Sequence, residues 1–357
     1  MSDVPCGFYM AAQKGYGMKR SWFLIVLCLP LLLCGCAQKS AEREFFAMDT
    51  VMDLTAYGKK ADDGINAAIS IINSMDTLLD PENERSKTYE INHAMGGSVV
   101  VNEQIAKMLR TAQTVYERSD GALDLTTYPL SKLWGFIDQN YRVPSDAEIE
   151  RLLPCVDMSK VQLSSTDDSA NSLVTMPADM SLSFGAVAKG CASDYAIQAM
   201  RAAGVTSGVV SLGGNVQTLG KKPDGSDWNI AVQDPNDTGS YLGYLTVGET
   251  AVITSGSYQR FFTEGGQKYH HILSPKTGRP VNNGLLSVTI VCEDGTLADC
   301  LSTAMFVLGP QAALNYWRTY GGFEMVLVKS DGHVILTNGL YGKFTPNGDN
   351  YVVQYES

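Results

Sequence analysis

The apolar residues of this chain recur at two spacings, one typical of helices and the other of strands. Every third or fourth residue is apolar over residues 64–79, which predicts an amphipathic helix. A second helix is predicted over 102–119, and a third over 187–203 that ends at Gly204. A shorter helix is expected over 145–153. Helices therefore occur along much of the chain, separated by stretches with another pattern.

Short strands rich in β-branched and aromatic residues are predicted for most of the remaining chain. The first covers 48–57, and two more flank the Gly213-Gly214 pair. The other predicted strands lie within residues 160–183, 228–233, 241–247, 250–254, 267–273, 286–292 and 323–355. Residues 120–136 contain a proline and two glycines, which favours an ordered loop. Because helices alternate irregularly with hairpin-like strands, the pattern predicts an α+β fold with mainly antiparallel sheet.

The N-terminal segment has the layout of a secretory signal. Lys19 and Arg20 precede an apolar run from Trp22 to Leu33, which is shorter than the roughly 20 apolar residues that a membrane span needs. The run is followed by Cys36 in "LCGC", which resembles a bacterial lipoprotein cleavage site, and Met18 is then the expected start.

This layout predicts three parts of the chain. Residues 1–35 would be a signal peptide, residues 36–46 a tether that begins at the lipid-modified Cys36, and residues 47–357 the folded domain. An uncleaved N-terminal anchor is the alternative. Either interpretation predicts an extracytoplasmic protein, and the first predicts one held at a bacterial membrane by its lipid.

Composition and charge narrow the class of protein. With 357 residues and 45% hydrophobic side chains, the chain is expected to fold as one large or two medium domains and not to remain disordered. The formal net charge is −11, and the sequence contains no basic stripe. Nucleic acid binds through neutralisation of its phosphates by Lys and Arg, so the charge argues against nucleic acid as a partner.

Four of the eight cysteines lie beyond residue 36, at Cys155, Cys191, Cys292 and Cys300. Their spacing matches no zinc-binding pattern. They are expected to be buried thiols, or else to form one or two disulfides, for which Cys292 and Cys300 are the first candidate pair.

A short apolar helix is predicted at "LADCLSTAMF" (297–306), and it carries polar residues on one stripe. Asp299, Ser302 and Thr303 share a face at 3.6 residues per turn. One explanation is a capping box formed by Thr296 and Asp299. The other is a metal site, for which a carboxylate with a hydroxyl favours magnesium or calcium over zinc.

Two further segments contain residues suited to chemistry. Lys189 falls in the first turn of the predicted helix over 187–203, where a cation opposes the helix dipole unless an anion such as phosphate binds there. A solvated surface lysine is the alternative. His270 and His271 are adjacent in a predicted strand, so they point to opposite faces and cannot chelate one metal. One of them could be a general base, and a structural histidine is the alternative.

Motifs for several common functions do not occur in the sequence. No G-x-G-x-x-G or G-x-x-x-x-G-K-[ST] segment follows a predicted strand, and no G-x-S-x-G elbow is present. These absences disfavour Rossmann, P-loop and ordinary hydrolase sites. The Gly213-Gly214 pair indicates only that backbone there can closely approach a flat ligand or another strand.

Eight segments, taken in order, resemble the ApbE-like FAD:protein FMN transferases, a bacterial family often exported as lipoproteins. Within residues 46–310 these segments are "MDTVM", "TYEIN", "SDGALDLTTYPLSKLWGF", "FGAVAKGCASD", "SLGGNV", "TSGSYQRFF", "YHHILSPKTGRP" and "ADCLSTAMFVLG". The resemblance implies the fold of that family. It also implies magnesium-dependent transfer of FMN from FAD to a Thr or Ser of an acceptor protein, with release of AMP.

The same resemblance implies roles for individual residues. Asp299 and Thr303 would bind the magnesium together with the backbone oxygen of Ala186, and Ser302 would lie alongside. His271 would be the base that activates the acceptor hydroxyl, and Lys189 would be a second catalytic residue. The residues implied to line the FAD are Met48, Ala122, Leu123, Asp124, Ser183, Lys189 and Ile272.

Two other activities stay open on the sequence alone. An FAD pyrophosphatase would use the same residues but transfer FMN to water. A lipid-anchored flavin-binding protein would hold FAD without cleaving it. For the transferase, the resemblance implies acceptor flavoprotein subunits of extracytoplasmic electron-transfer systems as partners.

Overall fold

The chain alternates short strands with helices along its whole described length. The computed structural model describes residues 39–168 and 171–357. The strands are β1 (Ser40–Ala47), β2 (Thr50–Tyr57), β3 (Ser98–Asn102), β4 (Gln162–Ser165), β5 (Asn171–Thr175), β6 (Gly208–Leu212), β7 (Asn215–Leu219), β8 (Trp228–Gln233), β9 (Tyr241–Val247), β10 (Ala251–Gly256), β11 (Phe261–Glu264), β12 (Gln267–His270), β13 (Leu285–Cys292), β14 (Glu324–Lys329), β15 (His333–Thr337), β16 (Phe344–Pro346) and β17 (Val352–Glu356). The helices are α1 (Ala61–Leu79), α2 (Lys87–Asn92), α3 (Glu103–Arg118), α4 (Tyr128–Leu133), α5 (Asp146–Leu152), α6 (Ala188–Ala202), α7 (Gly295–Leu308) and α8 (Pro310–Tyr320).

The largest sheet has the strand order β1-β2-β6-β7-β10-β13-β14-β15-β17. Its neighbouring strands are antiparallel except for the parallel pair β15 and β17. Smaller antiparallel sheets have the orders β16-β9-β8, β3-β5-β4 and β11-β12. The prediction of an α+β fold with mainly antiparallel sheet is confirmed.

The two faces of the large sheet pack against different partners. Along β10, Ala251 and Ile253 join the main core on the helical side, whereas Val252 joins a second core with the sheet β16-β9-β8. Alternate residues of a strand point to opposite faces, so both sides of β10 are buried. The helical side contains α1, α6 and α7, and these helices carry most of the candidate site residues.

Several local predictions differ from the structure. Residues 40–46 of the predicted tether 36–46 belong to the edge strand β1, which pairs with β2, so the tether prediction was wrong for these residues. The predicted loop 120–136 contains α4, which begins at Tyr128 with Pro129 in its first turn, where a missing N–H has no cost. Pro129 therefore starts a helix and does not prevent one. Helix α8 has no counterpart in the prediction.

Four cysteines lie within the described residues. Cys155, Cys191, Cys292 and Cys300 are free thiols, so the alternative of a Cys292–Cys300 disulfide is not realised. Burial raises the pKa of Cys191 to about 12, and that thiol is therefore protonated and inert at neutral pH. Within residues 39–168 and 171–357, none of the helices is long and apolar enough to cross a membrane.

Candidate active site

A cavity of about 810 Å³ opens on the helical side of the large sheet. It brings together side chains from β2, α1, α4, α6, β10 and α7 and from the loops between them. The predicted site residues that line it are Met48, Ala122, Leu123, Asp124, Ser183, Ala186, Lys189, His271, Ile272, Asp299 and Thr303. Ser302 is fully buried and is not part of the cavity wall, and Cys36 lies outside the described residues.

Asp299 is held where α6 and α7 cross. Its Oδ2 accepts a hydrogen bond from the Gly190 N–H at 2.9 Å, and its Oδ1 accepts one from Asn215 Nδ2 at 3.2 Å. A Cβ on Gly190 would lie 2.1 Å from the Gly295 carbonyl oxygen and 2.6 Å from Asp299 Cβ. Only glycine permits this approach, and the close crossing places Asp299 at the cavity wall.

The capping box predicted for Thr296 and Asp299 is not present. Helix α7 is capped by Asp294, whose carboxylate accepts from the Leu297 N–H at 2.9 Å. Thr296 instead donates its hydroxyl to Asp194 at 2.6 Å. Asp299 therefore does not cap its own helix α7, so the capping box does not explain why this residue is at the cavity wall.

The carboxyl group of Asp299 is only 4% exposed and sits in an electrostatically unfavourable place. Burial raises its pKa, and the nearby Lys189 ammonium and the bonds from Gly190 and Asn215 offset this only in part. A buried carboxylate without a full complement of positive charge is a suitable ligand for a divalent cation.

Three hydroxyls lie next to Asp299, those of Ser255 and Thr303 on the cavity wall and that of Ser302 behind it. Ser302 donates to the Asp299 carbonyl oxygen at 2.9 Å, so the 2.8 Å contact between the Ser255 and Ser302 hydroxyls has Ser255 as donor. The 3.3 Å contact between Ser255 and Thr303 then has Thr303 as donor. This order leaves the lone pairs of the Thr303 oxygen for a ligand, whereas Ser302 supports Ser255 from behind the wall.

One prediction for the start of α6 was that its N–H groups bind an anion such as phosphate, and the structure differs from it. Phe184 accepts from the Ala188 N–H at 2.8 Å, and Asp299 accepts from Gly190 and from the Lys189 backbone. These N–H groups of the first turn are therefore not free for a phosphate, and they stabilise the Asp299 carboxylate. The Lys189 side chain lines the cavity and forms no ion pair with any carboxylate of the described residues. It is the group left to meet an anion at this helix end.

His271 lies at the base of the β11–β12 hairpin and lines the cavity. Its Nδ1 is 3.1 Å from the carbonyl oxygen of Arg260, which can only accept, so Nδ1 carries the proton and Nε2 has the free lone pair. Burial lowers the pKa of His271 to about 3, assisted by the charges of Arg260 and Lys189. The imidazole is therefore neutral in the physiological range.

His270 has a structural role. Its Nε2 is 2.8 Å from the Val281 carbonyl oxygen, and its ring packs edge-on against Phe306 at 5.6 Å between centroids. It is 7% exposed and lines no part of the cavity. The prediction that His270 and His271 face opposite ways is confirmed.

Asp124 and Ser183 shape loops of the cavity wall. The Asp124 carboxylate accepts from the Thr126 N–H at 2.8 Å and from the Met158 N–H at 3.0 Å, so these bonds organise the segment 122–127. Ser183 accepts from the Gly185 N–H at 3.2 Å. The side chains that the resemblance implied to contact FAD thus bind backbone in this structure, and they hold the neighbouring residues in place.

Met48 reaches the cavity from a strained turn between β1 and β2. Met48 and Asp49 have φ angles of 47° and 59°, a left-handed conformation that costs of order 1 kcal/mol or more for a residue with a side chain. Asp76 of α1 accepts from the Met48 N–H at 2.9 Å and fixes this turn. Strain of this kind is common where a side chain must be presented to a ligand.

The sequence analysis did not single out three residues that the structure places at the site. Asn215 orients Asp299, and its Oδ1 accepts from the Thr254 N–H at 3.3 Å. Arg260 and Tyr258 line the cavity, and burial with the charge of Asp234 raises the pKa of Tyr258 to about 12. All three lie in segments that resemble the family, and this resemblance is the signal by which the sequence could have identified them.

Comparisons with known proteins identify the family of this chain. A model of the ApbE family matches residues 48–327. A protein of Klebsiella pneumoniae described as "FAD:protein FMN transferase" is 31% identical over 285 residues, which cover 79% of this chain and 87% of that protein. One of Treponema pallidum with the same description is 29% identical over 335 residues, covering 87% of this chain and 92% of its own length.

Solved structures show the same fold. The crystal structure of an ApbE protein from Thermotoga maritima has 31% sequence identity and a TM-score of 0.79, and the match covers 85% of this chain and 99% of that one. The flavinyl transferase ApbE of Pseudomonas stutzeri, in its apo form, has 26% identity and a TM-score of 0.73 over 87% of this chain and 98% of that one.

Proposed function

The chain belongs to the ApbE family and is an FAD:protein FMN transferase, and we propose that the cavity at the α6–α7 crossing is where it acts. In the reaction, an acceptor hydroxyl oxygen bonds to the FMN phosphorus of FAD and the bond to the AMP phosphate breaks. The acceptor loses one proton and AMP leaves. What supports the proposal is that one cavity collects Asp299, Thr303, Lys189 and His271, which are up to 114 positions apart in sequence.

We propose that Asp299, Thr303 and the backbone oxygen of Ala186 hold a magnesium ion. The donor set fits this ion, because it offers one buried carboxylate, one hydroxyl with free lone pairs and one carbonyl, all of them hard oxygen ligands. Groups of three or more His, Cys, Asp or Glu that could hold a metal ion are not found among the described residues, so the proposed site relies on hydroxyl and carbonyl oxygens besides its one carboxylate. When bound, the ion would neutralise charge on the diphosphate and polarise its phosphorus–oxygen bonds.

His271 is the proposed base. Its Nε2 carries the free lone pair, and it would take the proton from the acceptor hydroxyl as the oxygen approaches phosphorus. The low pKa of His271 belongs to the cavity without substrate, where Arg260 and Lys189 oppose protonation. A bound diphosphate brings negative charge beside all three groups, which raises the basicity of His271 at the stage when a base is needed.

Lys189 and Arg260 are proposed to bind the phosphates. Both line the cavity, and neither is paired with a carboxylate within the described residues. Their positive charges would stabilise the charge that builds up on the transferred phosphoryl group and on AMP.

An incubation with FAD, magnesium and a candidate acceptor protein tests this function. Covalent flavin fluorescence on the acceptor is the expected result. Free FMN without labelled acceptor would mean that water is the acceptor and that the protein is a pyrophosphatase. FAD that survives intact in the presence of acceptor would indicate binding without catalysis.

We also propose that the protein is a lipoprotein, anchored through Cys36 on the outer side of a bacterial cell membrane. The basic pair, the short apolar run and the cysteine support this, and they lie outside the described residues. Its acceptors would then be flavoprotein subunits of extracytoplasmic electron-transfer systems. Cys36→Ser should move the protein from the membrane fraction to the soluble fraction and abolish labelling by a fatty-acid analogue. Unchanged labelling would contradict the anchor.

A further inference from the structure

Two side chains of the cavity wall, Tyr128 and Glu82, form with the neighbouring Lys132 a hydrogen-bonded group that the mechanism above does not use. Tyr128 of α4 donates its hydroxyl to Glu82 Oε1. Lys132, one turn further along α4, donates to both oxygens of Glu82 at 2.9 and 3.1 Å. We call Tyr128, Lys132 and Glu82 the α4 clasp. Because Glu82 and Tyr128 both line the cavity, the clasp is part of the substrate-binding wall.

The clasp connects two separate parts of that wall. Glu82 belongs to segment 80–86 between α1 and α2. Internal bonds set the bend of this segment, since Asp80 accepts from the Glu82 N–H at 2.9 Å and its carbonyl accepts from the Ser86 hydroxyl at 2.5 Å. Those bonds do not fix where the segment lies relative to α4. The bonds from Tyr128 and Lys132 to Glu82 fix that position.

The charges within the clasp favour its closed form. The hydrogen bond from Tyr128 and the Lys132 ammonium hold the pKa of Glu82 below its usual range, so its carboxylate is ionised at neutral pH. Burial and that carboxylate raise the pKa of Tyr128, so its hydroxyl stays protonated and can donate. The Tyr128 hydroxyl donates its hydrogen to Glu82, so Tyr128 presents its ring to the cavity without a free hydrogen-bond donor.

The surroundings of Tyr128 suit a flat ring. Leu79, Pro81 and Leu125 line the cavity with it, and Tyr128 as a whole residue is only 7% exposed. Apolar and aromatic walls of this kind bind heteroaromatic rings by stacking and dispersion, and their affinity depends on how well the wall is preorganised.

We propose that the α4 clasp fixes Tyr128 and segment 80–86 as the wall that binds one of the two heteroaromatic rings of FAD. The clasp then determines the affinity for FAD and leaves the rate of transfer unchanged. This inference rests on the proposed function in one respect, because it takes FAD as the ligand. Tyr128, Glu82 and Lys132 are positioning residues, because the bonds among them act through the wall and not on the reacting atoms.

Three variants test the clasp through FAD binding, measured by flavin fluorescence with EDTA present so that turnover does not interfere. Tyr128→Phe, Glu82→Gln and Lys132→Met should each weaken FAD binding, by about tenfold for Glu82→Gln, because it removes charge-assisted hydrogen bonds. The double variant Glu82→Gln/Tyr128→Phe should bind no more weakly than the weaker single variant. In turnover assays KM for FAD should rise while kcat stays within about twofold.

A matched control is Glu103→Gln, which breaks the ion pair with Arg110 on α3 and does not line the cavity. It should bind FAD like the wild type. Competition with FMN and with AMP identifies the ring, because only the ligand that contains it should lose affinity in the variants. Wild-type FAD affinity in all three variants would overturn the proposal, as would a fall in kcat at unchanged KM. If the wild type fails to bind FAD both with EDTA and with magnesium present, the proposed function has failed instead.

Discussion

Asp299, the proposed cation ligand, is held in place by groups that are distant in sequence. Gly190 and Asn215 each donate one hydrogen bond to it, and they come from α6 and β7. The sequence predicted Asp299 and Thr303 because their spacing puts both on one face of a helix. It could not predict Asn215, because a contact between residues 84 positions apart leaves no mark in local spacing.

Replacing Asp299 by Asn tests its role at the scale of one residue. The amide keeps the size of the side chain and can still accept from Gly190, so the fold should persist. The negative charge is lost, and magnesium-dependent FAD cleavage should fall by at least about 100-fold, as expected when a main cation ligand is removed. The control is Asp294→Asn, which keeps a good helix cap and lies outside the cavity wall. Equal magnesium dependence in the two variants would remove Asp299 from the cation site.

The pH profile tests the state of His271. Its pKa of about 3 in the empty cavity means that the free enzyme contains a neutral base throughout the physiological range. The plot of kcat/KM for FAD, which reports the free enzyme, should therefore show no break due to His271 between about pH 5 and 8. The plot of kcat should show a higher apparent pKa, because bound diphosphate raises the basicity of His271. A break in kcat/KM near pH 6.5 that disappears in His271→Gln would contradict this account.

At the scale of elements, the crossing of α6 and α7 depends on Gly190. Alanine normally favours a helix over glycine by about 1 kcal/mol. At this position its Cβ would be 2.1 Å from the Gly295 carbonyl oxygen, so the helices must separate. We expect Gly190→Ala to lower the free energy of unfolding by about 1–3 kcal/mol and to weaken magnesium binding. Gly248→Ala is the control, because its Cβ would meet only Asp227 Oδ1 at an ordinary contact distance of 3.9 Å. Denaturant titration measures the free energy of unfolding, and a magnesium titration measures the binding.

Behind this crossing, Asp194 connects α3, α6 and α7. It accepts from Lys107 at 2.8 Å and from the N–H groups of Gly295 and Thr296 at 2.8 and 3.0 Å. Burial opposes its ionisation, but Lys107 and the hydrogen bonds outweigh burial and hold the pKa of Asp194 below its usual range. The stabilisation is therefore present above the unfolded pKa, near about 3.9, and is lost as the pH falls through the folded value.

Asp194→Asn should follow that pH dependence. At pH 7 it should lower the free energy of unfolding by about 3 kcal/mol, since it breaks a buried ion pair. The difference from the wild type should shrink below about pH 4, where the unfolded wild-type carboxyl takes up a proton, and should disappear once the folded carboxyl is protonated as well. Urea titrations at several pH values measure the free energy of unfolding of both proteins. A difference between them that does not change with pH would show that the charge of Asp194 does not cause the stabilisation.

Helices with a clear apolar spacing were predictable, and those defined by tertiary contacts were not. The predicted helix 64–79 is confirmed as Ala61–Leu79, because its apolar stripe packs on the sheet. Helix α4 was missed because Pro129 was taken as a breaker. The start of α6 was predicted as an anion site, but its N–H groups bind Asp299, which comes from a helix more than 100 residues later.

At the scale of the molecule, the second core extends beyond the residues that match the family. Val334, Leu336 and Phe344 follow residue 327 and are buried against the small sheet β16-β9-β8. Truncation after Lys329 removes all three. At about 1.5–3 kcal/mol per buried side chain this loss is comparable with the whole stability of a domain, so that chain should not fold cooperatively. Truncation after Asp349 removes β17 and no other strand, and the shortened protein should fold. Thermal unfolding compares the two, and equal melting temperatures would contradict this role of the second core.

The most direct test of the central claim is the intact mass of an acceptor protein after reaction with FAD and magnesium. The wild-type enzyme should add the mass of one FMN to the acceptor, and Asp299→Asn and His271→Gln should leave the acceptor unmodified under the same conditions. A full FMN adduct in the Asp299 variant would contradict the claim that this cavity carries out cation-dependent transfer.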